Sequence, residues 1–201
     1  MAAKGWNGAV PAPDTLSDPV DWAAHFWEDQ RLDGDEQRFL TLTSLLRYQR
    51  IVVDAVEQEL SNHGLNMTDY LMLMTLQLSS SGTRLISSLA RNLMVHATTA
   101  TLATDRLESK GLLYRSPHPT DRRATCVTLT DRGREVAHMA TIALDVVDFG
   151  LLGSTPATVK KLSDALKRLR DQAGDTRTQD AAPAHRAPVR KVSPNSAKAT
   201  A

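Results

Sequence analysis

Hydrophobic positions recur at helical steps along most of this chain, and the pattern changes to a strand-like one only between Leu112 and Leu129. Ser17–Asp18–Pro19 reads as a helix start, a capping side chain followed by a proline whose missing N–H costs nothing in the first turn. The helix predicted over Pro19–Gln30 sets Trp22 with Phe26, and Ala23 with Trp27, four residues apart. So short a helix is marginal alone, so its aromatics are expected to pack on a partner helix. After a break at Leu32–Gly34, a stripe of Phe39, Leu42, Leu45, Leu46, Val52, Val53, Val56 and Leu60 predicts a long helix from about Asp35 to Asn62. At the usual rise it is roughly 40 Å long, enough to link two lobes. Gly64 caps it, a helix Thr68–Leu78, begun by Thr68 or Met67, follows, and Ser79–Gly82 is a loop.

The stretch from Arg84 to Thr130 carries the densest information. Leu85, Ile86, Leu89, Ala90 and Leu93 recur at three- and four-residue steps, a break falls at Met94–Val95–His96, and a second helix runs from about Ala97 to Lys110. It stops at Gly111, a residue that tolerates the left-handed cap conformation. Then come an apolar run, Leu112–Leu113–Tyr114, a turn-rich tip, Pro117–Asp121, carrying Arg122 and Arg123, and a β-branched return, Thr125–Leu129. Two helices around a tight turn followed by a basic-tipped hairpin predict a mainly α chain with a small β-hairpin wing, an α-β-α winged helix-turn-helix. After the wing, Val136, Met139, Ala140, Ala143, Leu144 and Val147 give the helix opened by Asp131 an apolar face, and it ends near Phe149–Gly150. Ser154 or Thr155, followed by Pro156, starts a last helix to about Ala173, with Val159, Leu162, Leu166 and Leu169 at helical spacing. The first and last helices each keep a free apolar face, and packing them together and against a second copy makes a dimerisation lobe.

This organisation divides the chain into a disordered N-terminus (1–16), dimerisation helices (17–64), a DNA-binding domain (65–130), further dimerisation helices (131–173) and a disordered basic tail (174–201). An α-helix fits the major groove of B-DNA, where every base pair shows its own donor and acceptor pattern, and the second helix of the pair leads with its N-terminal residues. Those are His96, Thr98, Thr99 and Thr101, with Arg106 further along the same helix. The hairpin tip offers Arg122 and Arg123 to phosphates or the minor groove, with Asp121 positioned to hold the Arg123 guanidinium in one orientation. His96 and His118 are also candidates for phosphate contact.

Charge supports this polarity. The net charge of +1 hides four basic against twelve acidic residues from Asp14 to Asp69, and nine basic against four acidic from Arg84 to Arg134. A basic lobe over the proposed reading head fits a partner made of double-stranded DNA. An apolar fraction of 41% supports a packed core, and no stretch is long and apolar enough for a membrane span. The N-terminus lacks the continuous apolar run of a signal peptide, so a cytoplasmic protein without membrane association is expected.

The segments DRLESKGLLYR and PTDRRATCVTLTDRG together resemble the MarR family of bacterial transcriptional regulators. Asp105–Glu108, Gly111–Leu112, Asp121 with Arg123, and Leu129–Gly133 match the family pattern in order and spacing, and a weaker resemblance extends from about Asp18 to Gln172. The resemblance implies an obligate homodimer, a winged helix, a pseudo-palindromic operator, repression as the commoner mode, and a crevice for a small aromatic or amphipathic effector. Arg47, Tyr48, Tyr70 and Met74 could line that crevice, although methionines at helical spacing are more often ordinary core. One departure concerns the middle of the recognition helix. The family often has Arg or Asn there, whereas this chain has Leu102 and Ala103 and no charge between Ala97 and Thr104. Two explanations are open: apolar contact with thymine methyl groups, or a helix register that packs Leu102 inside.

Other chemistry finds little support. Cys126, the single cysteine, excludes an intrachain disulfide and reads as a small strand residue. The six histidines are dispersed, without the spacing of a metal site, and no nucleophile elbow, P-loop or dinucleotide fingerprint is present. Neither an enzyme nor a cofactor is expected. The rival functions are a winged helix that docks a protein, favoured by the uncharged recognition helix, and a ligand-independent DNA-binding protein.

Overall fold

A computed structural model describes residues 18–121 and 123–175, leaving aside the side chains of Glu28 and Asp29. The termini expected to be disordered therefore lie almost wholly outside the described residues, as does Arg122. The chain divides into two compact units, one up to Leu152 and one from Gly153.

Helix α1 spans Pro19–Asp29, and the Asp18 carboxylate accepts the Val20 N–H at 2.7 Å, satisfying one of the donors a helix start leaves free. Helix α2 spans Glu36–Asn62, capped by Asp35, whose side chain accepts the Arg38 N–H. The Trp27 ring packs on Phe39 of α2 with centroids 5.0 Å apart, so this aromatic of α1 finds a partner helix, whereas Trp22 packs on Phe26 of its own helix and stays exposed. Helix α3, Met67–Gln77, is capped by Asn66 and tied to α2 by the Glu57 carboxylate, which accepts the Met67 N–H at 2.9 Å.

Strand β1, Thr83–Leu85, leads directly into helix α4, Ile86–Asn92. The sequence pattern put Leu85 in the helix, but it closes the strand instead. Three residues are too few to show a strand period, and what makes them a strand is distant: Thr83, Arg84 and Leu85 pair with Thr128, Val127 and Cys126. Helix α5 follows at Ala97–Ser109, then β2 at Leu113–Pro117 and β3 at Thr125–Leu129. The sheet is antiparallel in the order β1-β3-β2, so the wing is a three-stranded sheet with the hairpin as its two longer strands.

Helix α6 spans Asp131–Val146, capped by the Thr130 hydroxyl, and ends in a 3-10 turn at Asp148–Gly150. Gly133 sits where the first turn of α6 crosses the start of the wing. A Cβ there would collide with the Leu112 carbonyl oxygen and come within 2.7 Å of a Leu129 methyl. The Thr130 hydroxyl donates to the Gly111 carbonyl at 2.9 Å. The short segment Leu129–Gly133 therefore locks the helix after the wing onto the base of the wing. In the second unit, helix α7 spans Pro156–Ala173 with Thr155 as cap and Pro156 in its first turn, and none of its residues is buried.

The core of the first unit gathers Leu60, Met72, Leu73, Leu76, Leu89, Leu107, Leu113, Val127 and Leu144, all essentially sealed from solvent. The apolar stripe of α2 divides in two. Val56 and Leu60 belong to this core, whereas Phe39, Leu42, Leu45 and Leu46 are exposed.

Candidate nucleic-acid interface

Helix α4 stops when Met94 enters the left-handed region at φ 53°. The Met94 and Val95 N–H groups then close back onto the carbonyls of Arg91 and Ala90. His96 is extended and precedes α5 without a side-chain cap bond. The result is a short turn, Leu93–His96, that leaves the first turn of α5 open to solvent.

Burial on α5 then fixes its register. Ala100, Ala103, Thr104 and Leu107 are buried. Two of them are alanines, which lets the helix lie close to the core. Thr104 can be buried because its hydroxyl donates to the Ala100 carbonyl at 2.7 Å. His96, Thr98, Thr99 and Thr101 are all exposed on the leading end, and Leu102 lies among them with 54% of its surface free. The register that would pack Leu102 inside is thereby excluded.

Arg106 is placed differently from its expected role as a DNA contact. Its guanidinium forms an ion pair at 2.7 Å with Asp69, a carboxylate almost wholly buried at the start of α3. A buried charge needs a partner, and Arg106 is the one that reaches it. This arginine joins α5 to α3.

The arginine that organises the wing is Arg115 on β2, which the sequence pattern did not single out. Its guanidinium reaches Asp105 at 2.6 Å and also pairs with Glu108, while its backbone N–H donates to the same Glu108 carboxylate at 3.0 Å. Partial burial opposes the charge, but the hydrogen bonds and the attraction of Asp105 and Glu108 outweigh it and raise the Arg115 pKa above the ordinary guanidinium value. The sequence did hold a signal. Arg115 stands two residues after the buried Leu113 in a strand, hence on the inward face, where a charge requires a counter-charge.

At the wing tip, the Asp121 carboxylate accepts the Arg123 backbone N–H at 2.9 Å. The expectation for Asp121 is to orient the guanidinium, but the turn is so tight that the carboxylate meets the main chain two residues on. It shapes the loop, and the Arg123 side chain remains exposed. His118 joins the same turn, its Nδ1 accepting the Asp121 N–H at 3.2 Å, which commits one ring nitrogen to the tip.

The four residues suggested for an effector crevice do not share one environment. Tyr70 is buried, its hydroxyl 3.1 Å from that of Thr141 on α6. Thr141 also lies 3.5 Å from the Met74 sulfur, so these residues form part of the α3–α6 packing. Arg47 is exposed and Tyr48 half-buried on α2. Cys126 is half-buried on β3. Among the described residues no cluster of His, Cys, Asp and Glu could hold a metal, and no helix is long and apolar enough to cross a membrane.

Two helices at a tight turn, a three-stranded wing strapped to the second helix, and a buried ion pair behind it define a winged helix-turn-helix protein. The sequence profile of the MarR family matches residues 65–125. The crystal structure of Sco5413, a MarR family transcriptional regulator from Streptomyces coelicolor, is similar at 34% identity and TM-score 0.66, over 71% of this chain and 99% of that one. The chain belongs to the MarR family. It is also similar to the HTH-type transcriptional regulator PecS of Dickeya dadantii, 31% identical over 53% of this chain, although it spans only 65% of PecS. Sco3205, a MarR family transcriptional regulator from Streptomyces coelicolor solved in complex with DNA, shares the fold at 23% identity and TM-score 0.63, over 70% of this chain and 90% of that one.

Proposed function

We propose that this protein regulates transcription by binding double-stranded DNA as a homodimer, with two copies of α5 entering successive major grooves of a pseudo-palindromic operator and the wings beside them. The observation that carries the reading is the exposed first turn of α5. His96, Thr98, Thr99 and Thr101 are free of packing duties there while the opposite face is sealed into the core. An α-helix of this kind matches the width of the major groove, and Arg123 on the adjacent tip supplies a cation for phosphate. Among solved relatives, Sco3205 has been captured with DNA.

Support for the dimer comes from the uncovered apolar surface. Phe39, Leu42, Leu45 and Leu46 of α2 and Met139, Ile142 and Val146 of α6 are all exposed, and large apolar patches on soluble proteins mark interaction sites. A second copy, related by a two-fold axis, would cover them and set two recognition helices about one DNA turn apart. Repression, by blocking polymerase, is the mode this reading favours. A small-molecule effector would have to act on the helices around Arg47 and Tyr48, because Tyr70 and Met74 are engaged with Thr141.

The test is fluorescence anisotropy of the purified protein on the DNA upstream of its own gene and on scrambled DNA, across a salt series. Tight, competitor-resistant binding that weakens steeply with salt is expected. Arg123→Ala should lower affinity and reduce the salt slope by about one for each phosphate the side chain no longer neutralises, with thermal stability unchanged. Unaltered affinity at matched salt would remove the wing from the interface, and equal weak binding to both DNAs at every salt concentration would refute recognition of this DNA.

A further inference from the structure

Helix α5 has an outward stripe made of Thr98, Thr101, Leu102 and Asp105, residues three and four apart on one face. Its chemistry is unusual for a surface meant to read bases. Asp105 is occupied by the Arg115 guanidinium at 2.6 Å. The Thr101 hydroxyl donates to the Ala97 carbonyl at 2.9 Å, so its proton is spent and the group can accept but not donate. What remains at the centre of the stripe is Leu102, a branched apolar side chain 54% exposed on a helix whose interior face is already filled by Ala100, Ala103, Thr104 and Leu107.

An exposed leucine that contributes nothing to the core is an apolar probe. In the major groove only one base edge is apolar, the C5-methyl group of thymine. Building on the DNA-binding reading above, we infer that Leu102 is a specificity-determining residue that packs on a thymine methyl in each half-site. Sequence preference at that base pair is then set by shape and desolvation. Arg115 enables the contact by neutralising the carboxylate on the same stripe, which would otherwise repel the phosphate backbone and disfavour burial of the neighbouring leucine.

The experiment begins by selecting binding sites from a random duplex library with the full-length protein. Each thymine of the enriched site is then replaced by deoxyuridine, which removes the methyl and leaves every hydrogen-bonding group in place. Wild type should lose about fourfold in affinity at one thymine per half-site, the value of one buried methyl group, and about fifteenfold when both half-sites carry the substitution. Leu102→Ala should bind the thymine site more weakly and show no further loss with uracil, while Leu102→Ala and wild type melt at the same temperature. A uracil effect that persists undiminished in Leu102→Ala would overturn the inference, as would an enriched site indifferent to uracil at every position. A library that yields no enriched sequence would overturn the DNA reading itself, and leave the exposed leucine as a contact for a protein.

Discussion

The same residue type behaves in opposite ways in the two lobes of the first unit. In the winged lobe, leucines at 73, 76, 89, 107 and 113 are buried, and on the first half of α2 leucines at 42, 45 and 46 are exposed. Both sets lie at helical spacing, so amphipathic pattern alone does not separate them. The winged lobe closes on itself, since α3, α4, α5, the sheet and the inner face of α6 surround a common centre, and α2 contributes Val56 and Leu60 to it with Val52 packed alongside. In the other half of α2, Trp27 packs on Phe39, but Leu42, Leu45 and Leu46, like Met139, Ile142 and Val146 of α6, remain exposed. One lobe carries a finished fold, and the other carries the exposed apolar surface that the proposed dimer would cover.

Equal truncations should therefore have unequal consequences. Leu107→Ala removes a sealed side chain between α5 and the core and should cost about 3–4 kcal/mol in urea unfolding, because the reduced burial is compounded by a cavity. Leu46→Ala should leave the stability of the winged lobe nearly unchanged and instead raise the protein concentration at which dimers form, read by sedimentation. Equal destabilisation by both, independent of protein concentration, would break the comparison. Next in size, Gly133→Ala forces a methyl against the Leu112 carbonyl and should cost about 2–3 kcal/mol by overpacking. The same substitution cannot be tolerated by relaxation of a flexible side chain, since the obstructing atom is backbone.

Arg106→Ala comes third. It leaves the Asp69 carboxylate, 2% exposed, without its charge partner. Breaking a fully buried pair costs more, but the Arg106 side chain is 42% exposed, so solvent screens part of the loss and about 1–2 kcal/mol is expected. Replacing Asp69 by Asn in the same background should recover part of that loss, which a merely structural role for the arginine stem would not predict. If Arg106→Ala instead weakened DNA binding at unchanged stability, the arginine would belong to the interface rather than to the scaffold.

The helices and the layout of the wing were legible because each depends on local pattern, as the start near Asp35 and the Ser154/Thr155–Pro156 signal before α7 illustrate. The buried face of α5 was not, because alanines and threonines give it too weak a hydrophobic period to fix the place of Leu102. Strand β1 was not legible, because three residues carry no period and their partner lies more than forty positions away. The roles of the charged residues were the least legible. Arginines at 106, 115 and 123 look alike in sequence, yet one neutralises a buried aspartate, one straps the wing to α5, and one stands free. What distinguishes them is which carboxylate the fold brings within reach, and that is decided only by tertiary packing.

The smallest expected effect sharpens the comparison most finely, because it concerns an apolar residue that the winged lobe leaves outside. Met94 is 79% exposed and holds φ at 53° in the turn that aims α5. An L-residue in this region costs about 1–2 kcal/mol relative to right-handed backbone. Glycine would relieve that strain while giving back part of the gain through the greater freedom of the unfolded chain. Met94→Gly should therefore stabilise by less than about 1 kcal/mol, a rise in Tm of roughly 2–3 °C for a domain of this size. If stability rises and DNA affinity holds, the methionine is an incidental occupant of a position that glycine fills better. If stability rises while affinity falls, its side chain reaches the groove beside Leu102, and these two exposed apolar residues of the winged lobe serve DNA rather than the fold.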